Sequence, residues 1–315
     1  MAHHILRASP ETTRAGVFSA SFAPVLTIAS GDSVDLQSVS GRAAVLPPPE
    51  SGLAVPPAVL EIIAANPGMR SGHILTGPIA IAGAEPGDTL EVRIDSIEPG
   101  ADWGYNMIAP LMGTLPEDFH EMHLMHIPVD RARRTCKLPW GTELPLAPFF
   151  GVMGVAPPPA FGVIASKEPR IHGGNLDNKE LQAGSTLFLP VHVPGANFSA
   201  GDGHGVQGDG EVCVTALEMC LDGRFTFILH KNQGAPLAMP RAETPTHYIS
   251  MGMNEDLDQA MKQALREMIS FICGRTNLSR EQAYAFCSLA VDFHVTQSVN
   301  GEKGVHGMLK KGQLF

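Results

Sequence analysis

NFSAGDGHGVQGDGE, residues 197–211, sets two aspartates, a glutamate and a histidine among five glycines, with no lysine or arginine. It follows an apolar run from Thr186 to Val193 and leads into a second from Val212 to Leu217, and both runs read as buried strands. Carboxylates crowded together between such strands need a cation or several hydrogen bonds to leave water. A divalent ion is the simplest partner. In an extended chain, residues two apart face the same way, so Asp202 and His204 present an oxygen and an imidazole nitrogen to one point. Asp209 and Glu211 form a second such pair after the turn Val206-Gln207-Gly208, and a strand–turn–strand path brings the pairs together. Histidine mixed with carboxylates suits zinc, whereas an all-oxygen set suits calcium or magnesium. Spacing alone leaves open the plainer alternative, a glycine-rich surface hairpin with solvated acids.

The rest of the composition agrees with a β-rich globular chain. Its 315 residues allow one large domain or two intimate ones. Only 17% are charged and 44% hydrophobic, which excludes a disordered chain. The 33 glycines and 26 prolines imply many turns and short strands. With a net charge of −10 and no basic cluster beyond Arg131–Arg134, nucleic acid binding is not expected. No apolar run is long enough to span a bilayer, and the first residues lack an apolar signal core, so no membrane partner is expected. Five cysteines without C-x-x-C spacing point to reduced thiols and a cytoplasmic location.

Taken in order, Val25–Ile28 and Val34–Leu36 read as strands flanking a Ser30-Gly31-Asp32 turn. Val59 to Ala65, after Pro56-Pro57, reads as a short helix. Ile79 and Ile81, then Leu90, Val92 and Ile94 across Pro86-Gly87-Asp88, read as a hairpin. His120, His123 and His126 recur every third residue and would share a side of a helical turn, a possible metal site set against an ordinary loop. Phe149–Ala156 reads as a packed strand beside a pocket wall. The sequence Ile171-His172-Gly173-Gly174-Asn175-Leu176-Asp177 predicts a sharp turn whose N–H groups could hold an oxyanion. Glu243 and His247, separated by Thr244-Pro245-Thr246, offer a carboxylate base and an imidazole donor. Beyond residue 254 the spacing turns helical. Asn254 is a candidate N-cap, Leu257, Met261, Leu265, Met268 and Ile272 mark one face, and Gly274 marks an end. Ser279–Gln282 has the capping-box pattern of a second helix. Asp292–Val295 reads as a closing strand and Gly304–Gly307 as a late turn. The chain is therefore expected to be α+β and mostly β, a single unit over 1–315. Strands fill 1–250; a helical hairpin and closing strand fill 251–315.

The runs HILTGPIAIAGAEPGDTLEVRI, WGYN, IHGGNLDNKELQAGSTLFLPVHVPGANFSAGDGHGVQGDGEVCVTALE, RAETPTHY and SLAVDFHVTQSVNGEKGVH resemble, in order and nearly end to end, the acetamidase/formamidase family. The resemblance implies hydrolysis of formamide, acetamide or a related amide or lactam to ammonia and a carboxylate. It implies a jelly-roll-like β-sandwich body with an added α/β part, bound zinc or calcium, and a homo-oligomer. Matched residue by residue, the family's segments fall on Asp202, His204, Asp209 and Glu211, on Gly173, Gly174, Asn175 and Asp177, and on Glu243 and His247. The expected mechanism has a divalent metal, zinc or alternatively calcium, on Asp202, His204 and Glu211, with His172 as a possible further ligand. Glu243 is then the base, His247 or Glu243 the acid, and Gly174 or Asn175 supplies oxyanion N–H groups. Two rivals remain: a thiol amidase using Cys213, and a non-catalytic β-sandwich whose acids hold a structural calcium.

Overall fold

The structure, a computed structural model, describes residues 1–69, 73–232, 234 and 236–314. It is an α+β fold dominated by strands, with only three α-helices among the described residues. The main core lies between sheet faces. In Ser33–Ser38 buried and half-buried residues alternate, as in a strand with one face inward. Thr89–Ile108 and Glu218–His230 pair antiparallel along most of their length, bending at bulges near Leu221 and Phe225. Phe150, Phe198, Phe225 and Phe227 interlock at the centre, with the Phe150–Phe225 and Phe198–Phe227 rings each 5.1 Å apart. Gly223 makes this possible, since a Cβ there would lie 2.7 Å from the Phe150 ring.

Several expected elements are present. Helix α1 spans Pro57–Ala65 with proline in its first turn. Phe149–Gly154 is a wholly buried strand. Helices α2, Leu257–Arg275, and α3, Arg280–Ala290, form the C-terminal pair, and Ser279 and Gln282 make both bonds of the capping box. The cap of α2 differs from expectation. Asp256 accepts from the Gln259 N–H, while Asn254 caps the preceding turn by accepting from Asp256 N. Gly274 lies inside the last turn of α2.

Other expectations are overturned by long-range pairing. The predicted hairpin opens into strands with different partners. Ile74–Ile81 joins Phe198–His204 and Leu26–Ile28, whereas Thr89–Ile108 joins Glu218–His230 and Thr186–Pro190. Gly304–Gly307 is no turn but the middle of the strand Lys303–Lys310, flanked by His247–Asn254 and Val291–Gln297. Its glycines answer packing: a Cβ on Gly307 would meet the Phe293 ring at 2.7 Å. Val212–Leu217 is a loop with Val212 62% exposed, not a buried strand. His123 and His126 lie in the strand His123–Asp130, where residues three apart face oppositely, and His126 Nε2 meets the Val45 carbonyl at 3.0 Å. The three histidines therefore form no common side.

These pairings position one site. Phe198–His204 is buried throughout and runs between Phe149–Gly154 and Ile74–Ile81. Its Gly201 and Gly203 let neighbouring backbones approach, since their Cβ atoms would fall 2.2 Å from Ile74 O and 2.4 Å from Met219 O. At its end, His204 stands opposite Glu218, the first residue of its own strand.

Candidate active site

His204 is the hub of the site and is 1% exposed. Gln207 donates through Nε2 to the Asp177 carbonyl at 2.8 Å, which turns its Oε1 toward the imidazole. His204 Nδ1 therefore donates to Gln207 Oε1, at 2.9 Å. That leaves Nε2 to face the carboxylates. It lies 3.3 Å from both Asp202 Oδ2 and Glu218 Oε1, yet makes a well-directed hydrogen bond with neither. On the other side of the ring, Asp177 Oδ1 is 3.8 Å from Nδ1. One donor atom each from Asp202, His204 and Glu218 lie within 4.8 Å of one another, as do those from Asp177, His204 and Glu211.

Supporting contacts reach three of the four carboxylates, while Glu211 Oε2 has no hydrogen-bond partner among the described residues. Asn300 donates to Asp177 Oδ2 at 2.5 Å, the Ala216 N–H donates to Glu218 Oε1 at 3.0 Å, and His73 Nε2 stands 3.7 Å from Asp202 Oδ2. The Phe149 ring abuts His204 edge-on. Asp177, Asp202 and Glu211 all have left-handed backbone, with φ of 45°, 58° and 44°. Such strain concentrates where surrounding structure imposes it, often at functional sites. Gly151 backs the cluster from the adjacent strand.

Four buried carboxylates around one imidazole cannot all be ionised unaided. Burial lifts Asp177 to about 6, partly offset by His204, and lifts Glu218 to about 7. Burial, then the charge of Asp177, drives Glu211 well above the usual carboxylate range. Burial also works against Asp202, but His73 and His204 outweigh it and hold that carboxyl low. His204 resists burial because Glu218 and Asp202 favour its cation. Protons thus stand where a dication would balance the charge. The unpartnered Nε2, the tied Nδ1 and the surplus of acids fit a divalent ion.

The cluster lines a cavity of about 260 Å³ shared with Tyr105, Lys167 and Asn175. The expected residues divide accordingly. Asp202, His204, Glu211 and Asp177 come together, and Asn175 reaches the same cavity with its Oδ1 unpartnered. His172 does not join them. It is buried edge-on against Phe18, and burial, with His192 and Arg170 nearby, pushes its pKa down to about 3. Asp209 turns away from Glu211 to Lys179 and His294, because the backbone between them is a bent loop rather than an extended strand. Glu243 pairs with Lys311 at 3.2 Å and His247 Nδ1 meets Thr246 Oγ1 at 2.9 Å, and neither lines the cavity. Cys213 lies in the loop beside Asn106 and Thr215 and does not line it either. Sequence reading missed Glu218 and His73. Glu218 carried a usable signal, a lone acid inside the apolar run from Val214 to Leu221.

Comparison with known proteins gives consistent results. A model of the acetamidase/formamidase family matches residues 62–162 and 163–305. The chain is similar to a formamidase of Methylophilus methylotrophus, 28% identical over 72% of this chain and 73% of that protein. It is similar to an acetamidase of Mycolicibacterium smegmatis, 31% identical over 47% and 51%. Among solved structures, it resembles an acetamidase from Bacillus halodurans, 31% identical, covering 97% of both chains with a TM-score of 0.84. The chain spans about half the length of two of the curated relatives it matches.

Proposed function

The chain belongs to the acetamidase/formamidase family, and from that premise we propose that it is an amidohydrolase. Its reaction is cleavage of a short-chain aliphatic amide, of formamide or acetamide type, to ammonia and a carboxylate. The observation that carries the reading is His204 Nε2, buried without a hydrogen-bond partner between Asp202 and Glu218 while Nδ1 is tied to Gln207. Asp202, His204 and Glu218 would hold a divalent ion, zinc by the imidazole donor, with calcium the alternative favoured by the oxygens. When bound, such an ion lowers the pKa of water toward about 7 and so makes hydroxide available at neutral pH.

The chain's own residues supply the proton traffic and the fit. Asp177 lines the cavity with Oδ1 free of any hydrogen bond among the described residues, and would take a proton from the attacking water. Glu211 lines the same cavity with Oε2 unpartnered among the described residues, and would pass a proton to the departing nitrogen as the carbon–nitrogen bond breaks. Tyr105 stays neutral because burial and the charge of Glu218 disfavour its phenolate, so its hydroxyl donates to the substrate carbonyl. Asn175 Oδ1 accepts from the amide N–H, orienting the substrate. The base role expected of Glu243 passes to Asp177, because Glu243 is engaged by Lys311 outside the cavity. A cavity of about 260 Å³ suits a small acyl group. No described helix is long and apolar enough to cross a membrane. The five unpaired thiols accord with a reducing cytoplasm. A homo-oligomer completes the reading.

The test is metal analysis of purified protein combined with ammonia release from formamide, acetamide and longer amides. Turnover is expected on the short amides, lost on chelation and regained with zinc. Full turnover by metal-free enzyme would remove the ion from the mechanism. Absence of ammonia from every amide would overturn the function itself.

A further inference from the structure

A second cluster lies outside this cavity. His306, in the strand Lys303–Lys310, is 1% exposed. Its Nδ1 meets Thr296 Oγ1 at 2.7 Å, while its buried Nε2 has no hydrogen-bond partner among the described residues. Directly across the ladder stands His294, and the two rings stack 5.1 Å apart at 14°. His294 Nδ1 is 3.3 Å from Asp209 Oδ2. Lys179 takes the other oxygen, Oδ1, at 3.1 Å, which leaves Oδ2 turned to the imidazoles. One ligand atom from each of Asp209, His294 and His306 lie within 4.8 Å of one another.

We propose that Asp209, His294 and His306 form a second binding site for a divalent ion of zinc type. Two imidazoles and one carboxylate are a donor set that zinc accepts, with water in the fourth position. The Thr296 contact fixes the His306 ring from behind, as partners of metal-bound histidines commonly do. An ordinary Asp209–His294 ion pair leaves His306 Nε2 buried and unsatisfied, which is costly. An ion satisfies it. The His294 and Asp209 side chains are 40% and 33% exposed, so the ion exchanges with solvent directly. Asp209 and Lys179 stand two residues from Glu211 and Asp177, so the same two loops serve both clusters.

The experiment is a titration of the full-length, chelator-treated protein with zinc alone, followed by calorimetry and by metal analysis after desalting. The bound stoichiometry is expected to fall by one equivalent per chain in His294→Ala, a surface change, and equally in His306→Gln. Asp202→Asn, which disturbs only the first cluster, leaves this equivalent in place. Thermal melting of the metal-free His294→Ala protein, unchanged from wild type, shows that the variant is folded. Unchanged zinc stoichiometry in folded His294→Ala overturns the proposal, whatever happens at the first cluster or to amide turnover.

Discussion

Replacing Gly151 by alanine tests the active-site geometry most directly. A Cβ at this position would lie 2.5 Å from Asp177 Oδ1, 2.7 Å from Asp202 Oδ2 and 2.9 Å from His204 Cε1. Gly151 is not among the residues with left-handed backbone, so alanine adds no conformational strain of its own. The added methyl acts only through space. To reach ordinary contact near 3.5 Å, the nearest oxygen must retreat by about 1 Å. Overpacking of this kind typically costs about 1–3 kcal/mol of stability. A displacement of about 1 Å in a positioned group costs on the order of a hundredfold in rate. Gly151→Ala should therefore remain folded, with kcat/KM for ammonia release reduced about a hundredfold and weakened retention of the metal. Gly223→Ala is the control, since the nearest atoms to its Cβ would be those of the Phe150 and Phe225 rings, at 2.7 and 2.8 Å. That variant should lose stability while keeping its metal. If Gly151→Ala matched wild type in both turnover and metal content, the convergence of Asp177, Asp202 and His204 behind this strand would not be the reacting centre.

Gln207→Ala frees His204 Nδ1 and should weaken metal retention or activity about 10- to 100-fold, read by competition with a chelator. In chelator-treated protein, Glu218 binds its proton more tightly folded than unfolded, with its pKa raised from 4.5 to about 7. The folded state therefore holds the extra proton, and this residue's contribution to stability is lost as pH rises through that window. Relative to Glu218→Gln, the metal-free wild type should lose urea resistance between those pH values, and parallel pH curves would contradict the assigned burial. Cys213→Ala should retain turnover with short amides; its loss would revive a thiol nucleophile. Glu243→Gln should keep kcat/KM within a few-fold, whereas Asp177→Asn should abolish turnover, and the reverse result would restore Glu243 as the base.

Much of the local structure was legible because its causes are local. The capping box at Ser279–Gln282, the proline-led α1 and the period of α2 depend on residues three or four apart. The strand Phe149–Gly154 was legible from a short continuous apolar run, buried along its whole length. Asp202 and His204, two apart in one strand, were likewise readable as a pair. What failed was decided by distant partners. The glycines at 304 and 307 look like turn residues until Phe293 is seen to occupy their space. Ile74–Ile81 and Thr89–Ile108 look like a hairpin until each is claimed by a strand more than a hundred residues away.

The same division runs through the site. The sequence by itself determined that acids and an imidazole gather near residue 204 in a β-rich setting; that they are buried, and so call for a positive partner, was decided by the fold, because burial of like charges costs free energy. Only the tertiary structure decided which acids those are. Register places Glu218 opposite His204, a bent loop sends Asp209 to His294 instead, and a left-handed turn delivers Asp177. Side-chain direction across a ladder depends on pairing between remote strands, and no spacing along the chain encodes it.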